Sequence, residues 1–339
     1  MRIALVGAEA FDSLEYNLQE TFVHMGHEAF VFNERQVMPL FGRASRNVLA
    51  VASSLGLAPA RWAYDRLVAK VIAYSPDLTV VTYRHLPPRF VEGLKEAIPK
   101  IPVVQINPDA ITGVERGYIF LSPFDAYFTK EPQLYLTMKE KLCLNAHYLP
   151  ESFNPRVHTK PVLPKPECEA RSNVDLVVVA TLYPYRIRFL EKLMSLLPSR
   201  IRLQIYGGKR SWAPTRLWDH HTGRSLSGPE KADVFYGARV VLNNMHFAEA
   251  DGVNCRFFEV LGSGAFMLCD DKPAVADLAT PGTEVVTFRS VKEAAEKIQY
   301  YLAHPEERWA IAQAAYERAI RSHTYEHRIQ SVLSLLGMA

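Results

Sequence analysis

Short apolar runs alternate with helical stretches twice over, once on either side of a proline-rich segment, and that alternation leaves few folds open. In the first half the runs fall at 2–8, 28–33, 78–82, 103–107, 126–129 and 147–149. Helical patterns sit between several of them, at 14–25 (apolar at Leu14, Leu18, Phe22 and Met25), 61–74 and 88–97. In the second half, runs at 174–180, 201–206, 240–243, 265–269 and 285–288 are interleaved with helical patterns at 187–197, 256–261, 291–303 and 306–322. Strand and helix in repeated alternation predict parallel sheets of the α/β class. Stretches such as VDLVVVA are apolar throughout, as expected of strands covered on both faces. Residues 158–173, HTKPVLPKPECEARSN, hold three prolines and no apolar period, which predicts a linker. The expected organisation is a first domain over 1–160, a linker over 161–173, a second domain over 174–322 and a final helix within 323–339.

Composition narrows the class. At 339 residues the chain exceeds what one core usually holds. Hydrophobic content of 48% with 22% charged residues is that of a globular protein. A net charge of +3 is too small to argue for a nucleic-acid partner. No stretch approaches the roughly 20 apolar residues of a membrane-spanning helix. The opening MRIALVGAEAFD has acidic residues close behind a short apolar run, so it predicts a first strand rather than a signal peptide. Four cysteines without metal-ligand spacing predict reduced thiols and a cytoplasmic setting.

The most informative segment is residues 243–271, NNMHFAEADGVNCRFFEVLGSGAFMLCDD. An acidic, arginine-bearing loop leads into a short apolar helix, expected over 256–261, which stops at Gly262 and Gly264 before a buried strand. Glu259 falls in the first turn of that expected helix, where the dipole favours an acidic side chain. Asp251 stands eight residues upstream, with Glu249 competing for any role given to it.

The spacing Asp251-x7-Glu259, followed by a small-residue turn and an apolar strand, resembles the acidic pair of retaining GT-B glycosyltransferases, which usually carry Glu at both positions. A closer resemblance is to the CgeB-like, spore-maturation branch. It is carried by Gly252, Arg256, Phe258 and Glu259, then Pro281-Gly282-Thr283-Glu284, then His323-Thr324-Tyr325-Glu326-His327-Arg328. It covers roughly residues 175–335 and is thin over the first half. It implies a GT-B fold, two Rossmann-like doubly wound domains facing a cleft, with the last helix crossing back to the first domain. It also implies a nucleotide-diphosphate sugar donor, most commonly UDP-linked, no metal or other cofactor, and a glycan, protein or small-molecule acceptor. In that group the residue matching Glu259 contacts ribose hydroxyls, Asn243 matches an "LN" phrase, and the loop holding Tyr183 to Arg186 supplies a basic side chain to the diphosphate.

Several residues carry plainer readings beside these. Arg256 meets phosphate or pairs with Glu259. Arg186 or Arg188 bonds the diphosphate or is an exposed first-turn arginine. Gly207, Gly208 and Lys209 bring backbone and charge to a base, ribose or phosphate, or make a simple turn. Asn243, His246 and Asn254 line the donor loop or only shape it. Asp251 touches the donor sugar or acts as acid or base, and Asp109 or His85 deprotonates an acceptor hydroxyl if the reaction inverts. The segment 323–328 reads as structural despite its rich chemistry. A UDP-sugar epimerase and a non-catalytic nucleotide-sugar binder stay open. The missing G-x-G-x-x-G disfavours an NAD-dependent oxidoreductase.

Overall fold

A computed structural model describes residues 1–33, 58–82, 86–109, 118–208 and 215–339. The chain divides into two compact units. One holds Met1–Pro150 with Tyr325–Ala339, the other Glu151–Thr324.

In the first unit, β1 (Arg2–Gly7), α1 (Leu14–His24), β2 (Glu28–Asn33), α2 (Ala58–Tyr74), β3 (Leu78–Val81), α3 (Pro88–Ala97) and β4 (Val103–Asn107) follow one another. Next come α4 (Tyr118–Leu121), β5 (Ala126–Thr129), α5 (Pro132–Leu136) and β6 (Ala146–Tyr148). The six strands are parallel in the order β2-β1-β3-β4-β5-β6. Each face of the sheet has its own apolar layer. Val6, Val81 and Val103 pack with Leu67, Phe90 and Leu94 on one side, and Ile3, Leu5 and Val80 with Leu18 and Phe22 on the other. The chain's last helix, Tyr325–Leu335, adds Tyr325, Ile329, Val332 and Leu333 to that second layer. Its Arg328 donates Nε–H to the Pro150 carbonyl at 2.9 Å, and burial pulls that guanidinium down to about 10.

The second unit runs α6 (Lys165–Ser172), β7 (Leu176–Val179), α7 (Pro184–Leu196), β8 (Leu203–Tyr206), α8 (Gly228–Gly237), β9 (Val240–Asn243), α9 (Cys255–Gly262) and β10 (Met267–Asp270). It closes with α10 (Val275–Leu278), β11 (Val286–Phe288), α11 (Val291–Ala303) and α12 (Pro305–Ser322); α13 (Tyr325–Leu335) is the helix already placed with the first unit. Five parallel strands lie in the order β11-β10-β9-β7-β8. Strand order reverses between β7 and β9, and in doubly wound sheets ligands collect at the carboxyl ends of the strands at such a switch point.

Residues 165–172 differ from the expected linker because they form α6. Two prolines are compatible with a helical first turn, so they start this helix rather than prevent one. Buried Lys165 donates to the carbonyls of Tyr236 (2.5 Å) and Ala238 (2.9 Å), and its Nζ lies 3.3 Å from Glu169. Glu169 in turn accepts from Arg308 of α12, which is 2% exposed. A polar network of this kind has no apolar period to betray it.

Gly262 ends α9 against Phe153, whose ring is fully buried. A Cβ there would stand 2.2 to 2.5 Å from three ring atoms. Alanine ordinarily gains up to about 1 kcal/mol over glycine in a helix. Here the clash decides the sign, and Gly262→Ala is expected to cost roughly 1–3 kcal/mol of stability in denaturant titration. Burial, partly offset by Glu169, pulls Lys165 down to about 8 from its ordinary 10.5. The unfolded chain therefore holds the extra proton between pH 8 and 10.5, so this site's penalty is full below the window and vanishes above it. The unfolding free energy of the wild type minus that of Lys165→Met should rise from pH 7.5 to pH 10.5, and a fall would refute the assignment.

Candidate active site

Strand β7 is buried on both faces, and its chain continues through Ala180–Tyr183 into α7, with Pro184 as the first helical residue. Gly207 closes this end of the sheet. Its φ is +126°, and a Cβ would lie 2.3 Å from the Ala180 carbonyl oxygen, so only glycine fits. The Gly208 carbonyl then accepts the Leu182 N–H at 3.4 Å. The close approach that these glycines permit is between two backbones. Lys209 lies outside the described residues, as does His85 of the first unit.

Arg186, in the first turn of α7, is 4% exposed, whereas Arg188 points to solvent. Its Nε and Nη2 donate to the Asn244 carbonyl at 3.2 and 2.8 Å, and Nη1 donates to the Thr181 carbonyl. Desolvation lowers its pKa below the ordinary arginine value; Tyr185 and Asp270 oppose that shift and the charge of Arg256 adds to it. Tyr185 reaches the Met245 carbonyl at 3.3 Å and is pushed up to about 12 by burial.

Beyond β9 the loop opens with a ring cluster. His246 meets Tyr183 and Tyr185 edge-on, each at 5.2 Å, and stacks on Phe247 at 4.4 Å. Phe247 is 69% exposed. The His246 Nδ1 accepts the Ala248 N–H at 3.1 Å, which suits the neutral ring. Burial and the Arg186 charge lower its pKa, against a smaller opposing effect of Glu249. Glu249 is buried, while Asp251 is half-buried and its carbonyl accepts the Ala274 N–H at 3.0 Å.

The loop ends on Asn254, which caps α9 by accepting the Phe257 N–H at 3.2 Å. Its amide also exchanges two 3.1 Å hydrogen bonds with Asn243 at the end of β9. The two asparagines thus spend themselves on each other, pinning helix to strand. The cap sets the helix start one residue earlier than expected. Glu259 is consequently its fifth residue rather than a first-turn acid, and the dipole argument for it fails. Glu259 is 6% exposed, and its partner is not Arg256 but Lys231 of α8, whose Nζ lies 2.8 Å from Oε1. His158 Nε2 is 3.8 Å from the same oxygen. Arg256 itself is half-buried and makes no ion pair or hydrogen bond among the described residues.

Three acidic or basic residues escaped the sequence reading. Lys231 lies on a helix that the dipeptide Gly228-Pro229 could have announced. Asp270 ends β10, where its Oδ2 accepts the Met245 N–H at 2.6 Å and both oxygens accept from the Asn244 amide at 3.2 Å. Burial raises its pKa. In the first unit Glu15, 8% exposed, accepts the Ala8 N–H at 3.0 Å and the Thr82 hydroxyl at 2.5 Å, at the switch point between β1 and β3. A Cβ on Gly7 would stand 2.3 Å from its carboxylate. In the same unit Asp109 ends a tight turn after β4, its N–H donated to Asn107 Oδ1 at 3.2 Å. His323, expected to be structural, donates Nε2–H to the Leu278 carbonyl at 2.7 Å, and its ring packs on Phe258 at 5.3 Å.

Residues 186–334 match the family model described as "Glycosyl transferase-like". The chain is 26% identical over 276 residues to spore protein CgeB of Bacillus subtilis (strain 168), a match spanning 76% of this chain and 82% of that one. Solved structures with the same fold include a sucrose-phosphate synthase from Thermosynechococcus elongatus (TM-score 0.72, 13% identity, 99% of this chain and 98% of that). Anabaena Alr3699/HepE in complex with UDP and glucose is another (TM-score 0.67, 14% identity, 100% of each chain). A third is a glycosyltransferase from Rickettsia africae (TM-score 0.68, 10% identity, 98% and 97%). The chain has the GT-B fold of these structures, and it is similar to the glycosyl transferase-like family over residues 186–334 and to CgeB over most of its length. Among the described residues no helix is long and apolar enough to cross a membrane.

Asn254→Ala removes a helix cap and strands the buried Asn243 amide, so it is expected to cost about 1–3 kcal/mol. In a double-mutant cycle, Asn243→Ala should add less to Asn254→Ala than it costs alone. Additive losses would refute the reciprocal pair.

Proposed function

We propose that the chain transfers a sugar from a nucleotide-diphosphate sugar, UDP-linked, to a hydroxyl acceptor, and that the second unit holds the donor. One observation carries this reading. Arg186 and Arg256 stand at the amino ends of α7 and α9, the charge of Arg256 reaches Arg186, and neither has a carboxylate partner among the described residues. Two such guanidiniums repel in each other's presence and are stabilised by a shared anion, which a diphosphate supplies with bidentate oxygens. The amino-terminal amides of the same helices favour that charge further.

In this reading Glu259, held by Lys231, takes the ribose hydroxyls one helical turn from Arg256. Developing charge on the leaving diphosphate is met by arginine and backbone amides rather than by a metal ion, so chelation with EDTA should leave turnover unchanged. Asp251 lies on the loop between the ring cluster and α9, suited to contact the transferred sugar, and transfer proceeds with retention. The acceptor belongs to the first unit, where Asp109 sits at a strand's carboxyl end. Complexes of Alr3699/HepE with UDP and with UDP-glucose support the choice of nucleotide by analogy of fold.

Calorimetric titration with UDP, GDP, ADP and NAD tests the reading. UDP should bind the wild type at micromolar Kd, and Glu259→Ala or Arg256→Ala should each weaken it at least about tenfold, or 1.4 kcal/mol. Preference for NAD, or UDP binding indifferent to both substitutions, would overturn it.

A further inference from the structure

Arg186 is buried beside the switch point and Asp270 is half-buried at the end of β10, close enough for each to affect the other's charge, yet they do not pair. A single peptide group stands between them. Its carbonyl, that of Asn244, accepts Nε–H and Nη2–H from Arg186 at 3.2 and 2.8 Å. Its N–H, that of Met245, donates to Asp270 Oδ2 at 2.6 Å. The Asn244 side chain completes the clamp by donating Nδ2–H to both Asp270 oxygens at 3.2 Å. The carboxylate thus holds the positive pole of the peptide dipole and the guanidinium its negative pole, an arrangement in which each hydrogen bond polarises and strengthens the next.

We infer that Asp270 is the positioning residue for the diphosphate, acting on Arg186 through the Asn244–Met245 peptide; the inference rests on the donor site proposed above. A direct Asp270–Arg186 ion pair would bury both charges more cheaply, but it would consume the guanidinium's field. With the peptide interposed, Asp270 offsets the burial of the cation while the fork stays directed elsewhere. Of the five N–H donors of an arginine, three are held by the Asn244 and Thr181 carbonyls, which leaves two for phosphate oxygens. The clamp joins the ends of β7, β9 and β10 and the first turn of α7, so the position of those two donors is set by the sheet rather than by a mobile side chain. Asp270 is therefore not a ligand to the donor, and its effect should appear only in the part of the affinity that the diphosphate contributes.

The test compares Kd for uridine and for UDP, by calorimetry, in the wild type, Asp270→Ala, Asp270→Asn and Arg186→Lys. In the wild type UDP should bind far more tightly than uridine. Asp270→Ala should shrink the UDP-to-uridine preference at least about tenfold, with uridine unchanged. Asp270→Asn keeps an acceptor for the Met245 N–H but gives up the charge that offsets Arg186, so it should recover part of the preference. It also serves as the folded variant if the alanine form does not fold. Arg186→Lys should lose the preference as Asp270→Ala does. Equal weakening of uridine and UDP, or an Asp270→Ala preference unchanged while Arg186→Lys loses it, would overturn the positioning role and leave the donor site standing. A wild type with no preference for UDP over uridine would overturn the donor reading itself.

Discussion

Every strand of the second sheet but the edges of its run is apolar on both faces, and that constraint shapes the site. A parallel sheet covered by helices can place polar side chains only where its strands end. At the carboxyl ends of β7, β9 and β10, buried polar groups therefore meet one another before they meet any ligand. Each must find a partner or cost about 1–3 kcal/mol. The solutions are specific: Asn243 takes Asn254, Asp270 and Arg186 share a peptide, and Glu259 takes Lys231. Arg256 is half-buried and has no hydrogen bond or ion pair among the described residues, and on the proposed donor reading its partner is the anion.

The same constraint explains what could be read in advance. Apolar runs and helical periods located most strands within a residue or two, because burial on both faces writes itself directly into composition. The acidic loop, its glycines and Glu259 were legible as a motif. Partnerships were not. Nothing in the spacing of Asn243 and Asn254 distinguishes a ligand-facing pair from one that closes on itself, since register between a strand end and a helix cap depends on how the ten intervening residues fold. Lys231 and Glu259 lie 28 residues apart on different helices, and only the packing of α8 beside α9 joins them. The helix at 165–172 was hidden for a related reason. Its stabilising contacts are the Lys165–Glu169–Arg308 network, which carries no hydrophobic period, and its prolines read as breakers until their first-turn positions are known.

Glu259 shows how the argument for a residue changes once its surroundings are seen. The expected first-turn position would have made it partly a dipole partner, worth a few tenths of a kcal/mol at a surface. At the fifth position of α9 and 6% exposed, that explanation is gone, and a buried carboxylate needs a stronger one. Lys231 supplies part of it, at the expense of desolvating a second charge. A buried pair of this kind seldom adds much stability over a well-packed apolar substitute. A chain under selection for stability alone would have little use for it. On the proposed donor reading, the pair holds a carboxylate in a fixed place, as the clamped peptide holds Arg186, so that both charges are positioned before a substrate arrives. Preorganised charge of this sort needs no reorganisation during reaction, which is where such sites gain most of their advantage over water. On that argument the polar ends of β7, β9 and β10 form one unit: the groups that satisfy one another set the directions in which Arg186, Arg256 and Glu259 remain able to act.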